Sequence, residues 1–336
     1  MDLSNNIDLG EFGRQLFLKI LSETSTEGKI HDLINRCKDR HTQYSDESFP
    51  ANRSSLISNW EDENVRDKVV KWKHFVWRRS SDIMNPDNMC IYKDKIEPDD
   101  IKQGILGDCY FLSSLSVLAE QSERIIQLFE TTEINRYGIY AVRICKNGEW
   151  RTIIIDDFFP CKGITPAFSR AHGDELWVML LEKAWAKVHG SYERIEAGFA
   201  ENVLRDLTGA PTKVLTHDDK ELWDNMTNAK NNNFLIAASA GATKASKKLL
   251  EEMGLIGFHS YGILDVREIN TYDGEERLIK LRNPWGDFEW TGDWSDQSPN
   301  WTEELKQQLN FQDQDDGTFW MSFVDFTHYF SRIQIC

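Results

Sequence analysis

What this sequence lacks narrows its chemistry first. Its cysteines, Cys37, Cys90, Cys109, Cys145, Cys161 and Cys336, form no C-x-x-C pair. A zinc ribbon or a thioredoxin-like redox centre therefore has no thiols at the required spacing. No apolar core follows Met1-Asp2-Leu3-Ser4-Asn5-Asn6, so no secretory signal is expected. The longest nearly apolar run, 110–119, is broken by serines and falls well short of the ~20 residues of a membrane helix. No constitutive membrane insertion is expected. Cations are scarce: 39 Lys and Arg stand against 55 Asp and Glu, a net charge of −16. Phosphate backbones need clustered Lys and Arg, so nucleic acid is excluded as the main partner, and an anionic membrane is a poor docking surface. Unpaired thiols and no export signal fit a reducing, cytoplasmic compartment.

What is present is material for two cores. Hydrophobic residues make up 40% and aromatics 12% of 336 residues, a length that suggests two domains. Residues 1–40 read as an N-terminal extension, with Phe12, Leu16, Ile20 and Leu21 on one face of a short anchor helix. Residues 41–210 are helix-rich. Phe111, Leu112, Leu115, Leu118 and Ala119 mark a helix that opens near Cys109, and Leu176 to Val188 mark a second. Between them, 140–145 and 150–155 flank Asn147-Gly148 and predict a hairpin. Residues 211–336 are strand-rich, with strands expected at 234–238, 259–269, 277–281, 318–323 and 331–335. The Asn-rich stretch 228–233 reads as a loop. The join is expected near Gly209-Ala210-Pro211, and the fold class is α+β.

The chemistry concentrates in three places. In Gln103-Gly104-Ile105-Leu106-Gly107-Asp108-Cys109, two glycines and an Asp set the thiol at the first turn of a helix. Unpaired N–H groups and the helix dipole there favour an anion, which lowers a thiol pKa. Across the glycine turn, the Gln103 amide could join the Cys109 N–H in an oxyanion hole. A buried, inert thiol is the bland alternative. His259 opens one predicted strand and Asn283 ends the next, in Leu281-Arg282-Asn283-Pro284-Trp285-Gly286. An Asn oxygen can hold one imidazole nitrogen and aim the other at the thiol, while Trp285 covers the bond. The surplus of carboxylates serves solubility or, for a few, cation binding.

Gln-Gly-x-Leu-Gly-Asp-Cys, the His-x-Tyr strand and Leu-Arg-Asn-Pro-Trp-Gly-x-x-Glu-Trp-Thr-Gly together resemble the protease core of the calpain family. Leu181-Glu182-Lys183-Ala184-Trp185 and Asp316-Gly317-Thr318-Phe319-Trp320 extend the resemblance over about residues 44–336. It implies a papain-like fold of two lobes, 41–210 and 211–336, with Cys109, His259 and Asn283 as catalytic triad and Gln103 in the oxyanion hole. It also implies a calcium-dependent intracellular cysteine endopeptidase acting on extended protein substrates, whose lobes align when each binds one Ca2+. The matching calcium ligands are Asp100 and Glu175 in the first lobe, completed by backbone carbonyls. In the second they are Glu289, Asp296 and Asp316 with the Gln314 carbonyl. Helix capping is the ordinary alternative for Asp100 and Glu175. Gly198 and Trp285 correspond to substrate-contacting positions. Three residues depart from the family pattern: Phe258 for Gly, Tyr110 for Trp, and Thr318 for Glu, the last removing one carboxylate from the second site. Phe258, Thr318 and the missing C-terminal domains of many relatives, in a chain that is either core-only or truncated, motivate an alternative: a calcium-binding regulatory relative without useful proteolysis. Acyl transfer of the transglutaminase kind is disfavoured by Asn283, since that chemistry typically uses Asp.

Overall fold

The protein is described here by a computed structural model covering residues 26–93, 95–241, 247–272 and 274–336. The anchor-helix reading of Phe12 to Leu21 lies outside these residues. The described part of the extension is helix α1 (Thr26–Arg40), set against the hairpin below.

Helix α2 (Cys109–Ala119) starts where the sequence places it. Every residue after Cys109 is buried, not only the apolar stripe, so protein encloses the helix on all sides. Its serines become tolerable because their hydroxyls donate to backbone carbonyls: Ser114 to Tyr110 at 2.8 Å and Ser116 to Leu112 at 3.0 Å. Strands β1 (Ile139–Lys146) and β2 (Glu149–Asp156) form the expected hairpin. Both turn residues are left-handed, Asn147 at φ 55° and Gly148 at φ 80°, as a two-residue type I′ turn requires. Helix α3 (Trp177–His189) follows and stops at Gly190, φ 100°. Helix α4 (Ala200–Thr208) stops at Gly209, φ 72°.

The rest is built on one antiparallel six-stranded sheet. Its members are β3 (Lys213–Thr216), β4 (Ile236–Ala240), β5 (His259–Thr271), β6 (Gly274–Arg282), β7 (Thr318–Ser322) and β8 (Phe330–Ile335). Their spatial order is β7-β6-β5-β4-β8-β3. Alternation sorts the side chains. Phe319 and Met321 enter one core with Ile279 and Leu281, while Trp320 enters another with Leu278, Trp294 and Trp301. The architecture is mixed α+β, helical first and sheet-based second.

Two expectations need correction. Residues 228–231 are not loop: helix α5 spans Leu222–Asn231. Leu222, Trp223, Met226 and Ala229 are buried at helical spacing, and this stripe outweighs the turn propensity of the exposed asparagines. The strand expected from Phe234 begins at Ile236, because Asn233 is left-handed (φ 55°) and Phe234 is exposed.

The helical and sheet regions meet along α2. A Cβ added to Gly262 would lie 3.0 Å from Val117 Cγ1 on α2, so only glycine lets β5 pack this closely. Ser113 and Ser260 join the same elements through their hydroxyls at 2.8 Å. The wholly buried Arg282 reaches Asp99 at 3.1 Å and the Ile101 carbonyl at 3.3 Å.

Candidate active site

The loop before Cys109 is clamped on both sides. Gln103 donates its backbone N–H to the Pro284 carbonyl at 3.0 Å, and Ile105 donates to Ala167 at 3.0 Å. A Cβ at Gly104 would come within 2.0 Å of the Phe168 carbonyl oxygen, which explains the glycine. The Asp108 carbonyl then accepts from Phe111 and Leu112 at 2.8 and 3.2 Å, winding the first turn of α2.

The thiol does not follow the simple helix-dipole expectation. Burial pushes Cys109 up to about 11, with N–H groups of Ser260 and Tyr110 pulling the other way and the Asp108 charge opposing them. Desolvation of a thiolate here outweighs the helix N-terminus. His259 moves in the complementary direction: burial lowers it to about 4, against the bond to Asn283. Burial thus favours the neutral form of each group.

Asn283 fixes the imidazole. Its Nδ2 donates to the carbonyls of Asp287 and Phe288 at 2.8 and 3.1 Å, which orients the amide. Its Oδ1 accepts the Trp285 N–H at 3.1 Å and faces His259 Nε2 at 2.8 Å. Nε2 must then carry the proton, and Nδ1 is left as the basic nitrogen. The Trp285 ring lies 5.2 Å from the imidazole and the Tyr261 ring 5.0 Å, walling the bond from water. Ser113, one helical turn after Cys109, meets Ser260 at 2.8 Å, so the start of α2 is packed on the strand that begins with His259.

Gln103 sits at the site but its amide is engaged locally. Nε2 donates to the Leu106 carbonyl at 2.6 Å and reaches Asp108 at 3.5 Å, while Oε1 is buried without a partner. Gly198 is exposed, and a Cβ there would strike the Tyr110 ring at 2.5 Å. Tyr110 is accommodated in place of Trp because its hydroxyl donates to Ile195 and accepts from Trp185 at 3.1 and 3.2 Å. Phe258 is 81% exposed and left-handed, φ 56°, a conformation glycine adopts without strain.

A buried carboxyl pair behind the nucleophile escaped sequence reasoning. Burial pushes the Asp108 carboxyl well above the carboxylate range, with the Glu182 charge adding to it, and raises Glu182 to about 7. Glu182 also accepts the Ser169 N–H at 3.0 Å. The available signal was a lone carboxylate, Glu182, on a helix whose residues from Trp177 to Ala186 are otherwise mostly apolar.

The predicted calcium ligands fall into two groups. Asp100 and Glu175 are near enough for Glu175 to help burial raise the Asp100 carboxyl, against an N–H bond from Glu97. In the second group, burial raises Glu289 to about 7 and Asp296 to about 6, and Asp316 is also raised. The Asp316 charge adds to both Glu289 and Asp296. Asp296 Oδ2 and Thr318 Oγ1 are buried without partners, and the Gln314 carbonyl accepts the Asp316 N–H at 3.0 Å. Crowded carboxylates and orphaned oxygens are hard donors that suit calcium. Among the described residues, no three His, Cys, Asp or Glu side chains form a cage by themselves. Carbonyls or water would have to complete either site.

Comparison with known proteins agrees with the motifs. A family model described as calpain family cysteine protease matches residues 44–336. The chain is 38% identical over 329 residues to the calpain-type cysteine protease DEK1 of Zea mays, covering 93% of this chain and 15% of that protein. It is 38% identical over 311 residues to DEK1 of Arabidopsis thaliana, covering 88% and 14%. With the calpain-2 catalytic subunit of Homo sapiens the identity is 32% over 314 residues, covering 90% and 44%. The chain thus spans less than half the length of these relatives.

Proposed function

The chain belongs to the calpain family of cysteine proteases, and from that premise we propose that it is a calcium-dependent endopeptidase performing limited proteolysis of protein substrates. The observation that carries the catalytic part is the Asn283 amide, held by two carbonyls so that only its oxygen faces His259. That arrangement prepares Nδ1 to take a proton from Cys109.

In the reaction, Cys109 Sγ attacks the scissile carbonyl as its proton passes to His259 Nδ1. The Cys109 N–H receives the oxyanion, joined by the Gln103 amide once it turns from the Leu106 carbonyl. His259 returns the proton to the leaving amine. Water, deprotonated by the same nitrogen, then releases the acyl group. The exposed backbone at Gly198 and the Trp285 ring receive an extended peptide on either side. Residues 41–210 and 211–336 act as the two lobes. Asp100 and Glu175 would hold one calcium ion, and Glu289, Asp296, Asp316 and the Gln314 carbonyl a second. What calcium supplies is charge neutralisation, which removes the repulsion within each carboxylate group and favours the aligned lobes. Free thiols suit a cytoplasmic setting.

The test is hydrolysis of casein, with calcium and with chelator, by the wild type and Cys109→Ser. Calcium-dependent cleavage absent from the variant is the expected result. Cleavage indifferent to calcium would remove the switch and keep the protease. No cleavage, with calcium still changing Trp fluorescence, would favour the non-proteolytic calcium-binding reading.

A further inference from the structure

The first candidate calcium site contains a cation of the protein's own. Glu175 is 1% exposed, and its Oε1 lies 3.0 Å from the Lys93 ammonium. Its second oxygen accepts the Lys93 backbone N–H at 3.3 Å. The backbone sets this meeting. Cys90 and Glu175 form a parallel bridge, and Leu176 and Trp177 donate to the Cys90 and Ile91 carbonyls at 3.0 and 2.9 Å. The two segments therefore run side by side, and Lys93 is carried to the carboxylate. The ammonium also passes over Gly173, where an added Cβ would lie 3.4 Å from Nζ. It acts on Asp100, the other acidic residue of the group. Yet the lysine side chain is 59% exposed, so it can leave into water without disturbing the core.

We propose that Lys93 is a resident counter-ion of this site, holding Glu175 when calcium is absent and competing with calcium for it. This inference rests on the calcium reading above and deepens it. A buried carboxylate left alone would be expensive, so the ammonium stabilises the calcium-free state. A divalent ion must displace it before reaching Glu175. Lys93 thereby raises the calcium concentration at which the site fills, and it does so without touching the reacting atoms.

The test is calcium binding by calorimetry in a Cys109→Ala background, which prevents self-cleavage. Lys93→Met keeps the alkyl stem and removes the charge; Lys93→Arg keeps the charge. Lys93→Met is expected to bind calcium about fivefold more tightly, the equivalent of one partly exposed ion pair. Lys93→Arg should stay near wild type. In chelator the Met variant should unfold at a lower temperature, and calcium should raise its Tm more than it raises that of the wild type. The same gain in a Glu289→Gln background, where the second group is disabled, would assign it to the first site. Unchanged or weaker binding in Lys93→Met would overturn the competitor role while leaving calcium binding intact. No calcium binding by the wild type or either variant would overturn both the competitor and the calcium reading.

Discussion

At the scale of single residues, Asn283 decides which imidazole nitrogen is basic. Asn283→Ala frees the ring to rotate, and kcat on a peptide substrate should fall about 10²-fold or more, with folding unchanged by circular dichroism. Asn283→Asp keeps an acceptor but adds a charge. A carboxylate would raise His259 from about 4. With the neutral imidazole as the proposed base, the acid limb of the pH–rate profile should move to higher pH. An unmoved limb would show that His259 does not set it. Phe258 carries the opposite signature, strain without a compensating bond to its ring. A bulky residue at φ 56° gains from replacement by glycine. Phe258→Gly should raise stability by about 0.5–1 kcal/mol in denaturant unfolding, the relief being partly offset by glycine's greater entropy in the unfolded chain. If stability falls instead, the exposed ring makes a contact that strain alone does not explain.

At the scale of elements, the pairing that matters is α2 against β5, because it carries Cys109 to the strand that begins with His259. Gly262 is the closest approach. Gly262→Ala forces the strand and helix apart by a few tenths of an ångström, which should cost about 1–3 kcal/mol in unfolding free energy. Because the strand also carries His259, kcat/KM should drop about tenfold or more. Full activity in this variant would mean that the helix–strand spacing does not set the catalytic geometry. Most elements were legible beforehand because their apolar period was unbroken, as in α2, α3 and the Asn-Gly hairpin. Helix α5 was not. Its four buried residues are interleaved with Asn225, Asn228 and Asn231, whose turn propensity masked the period until packing on the sheet decided it.

At the scale of the whole molecule, stability depends on buried acids. Glu182 ordinarily titrates near 4.5 and is held up at about 7 in the fold. A raised acid binds more protons folded than unfolded, so its contribution favours folding below 4.5 and is lost as pH rises toward 7. His259 works the other way, since its folded value lies below its ordinary one. Wild-type stability alone therefore mixes opposing effects, and the comparison with Glu182→Gln isolates one. The amide imitates the protonated acid, so the Tm of Glu182→Gln relative to wild type should rise as pH goes from 5 to 8. A difference independent of pH would mean that Glu182 is already ionised in the folded state at pH 5, so that burial does not hold its carboxyl up.

The sequence by itself determined the local chemistry: a thiol opening a helix, a His and an Asn at the ends of successive strands, and motifs long enough to identify the family. These depend on neighbours within a few residues, which the chain order supplies directly. Only the tertiary structure decided how those groups are charged. The low pKa expected for Cys109 gave way to one of about 11, because desolvation comes from surrounding elements that the helix signal does not reveal. The Asp108–Glu182 repulsion and the Lys93–Glu175 ion pair each couple groups distant in sequence. Burial and opposite charge act through space, so their balance is fixed only when the chain is folded.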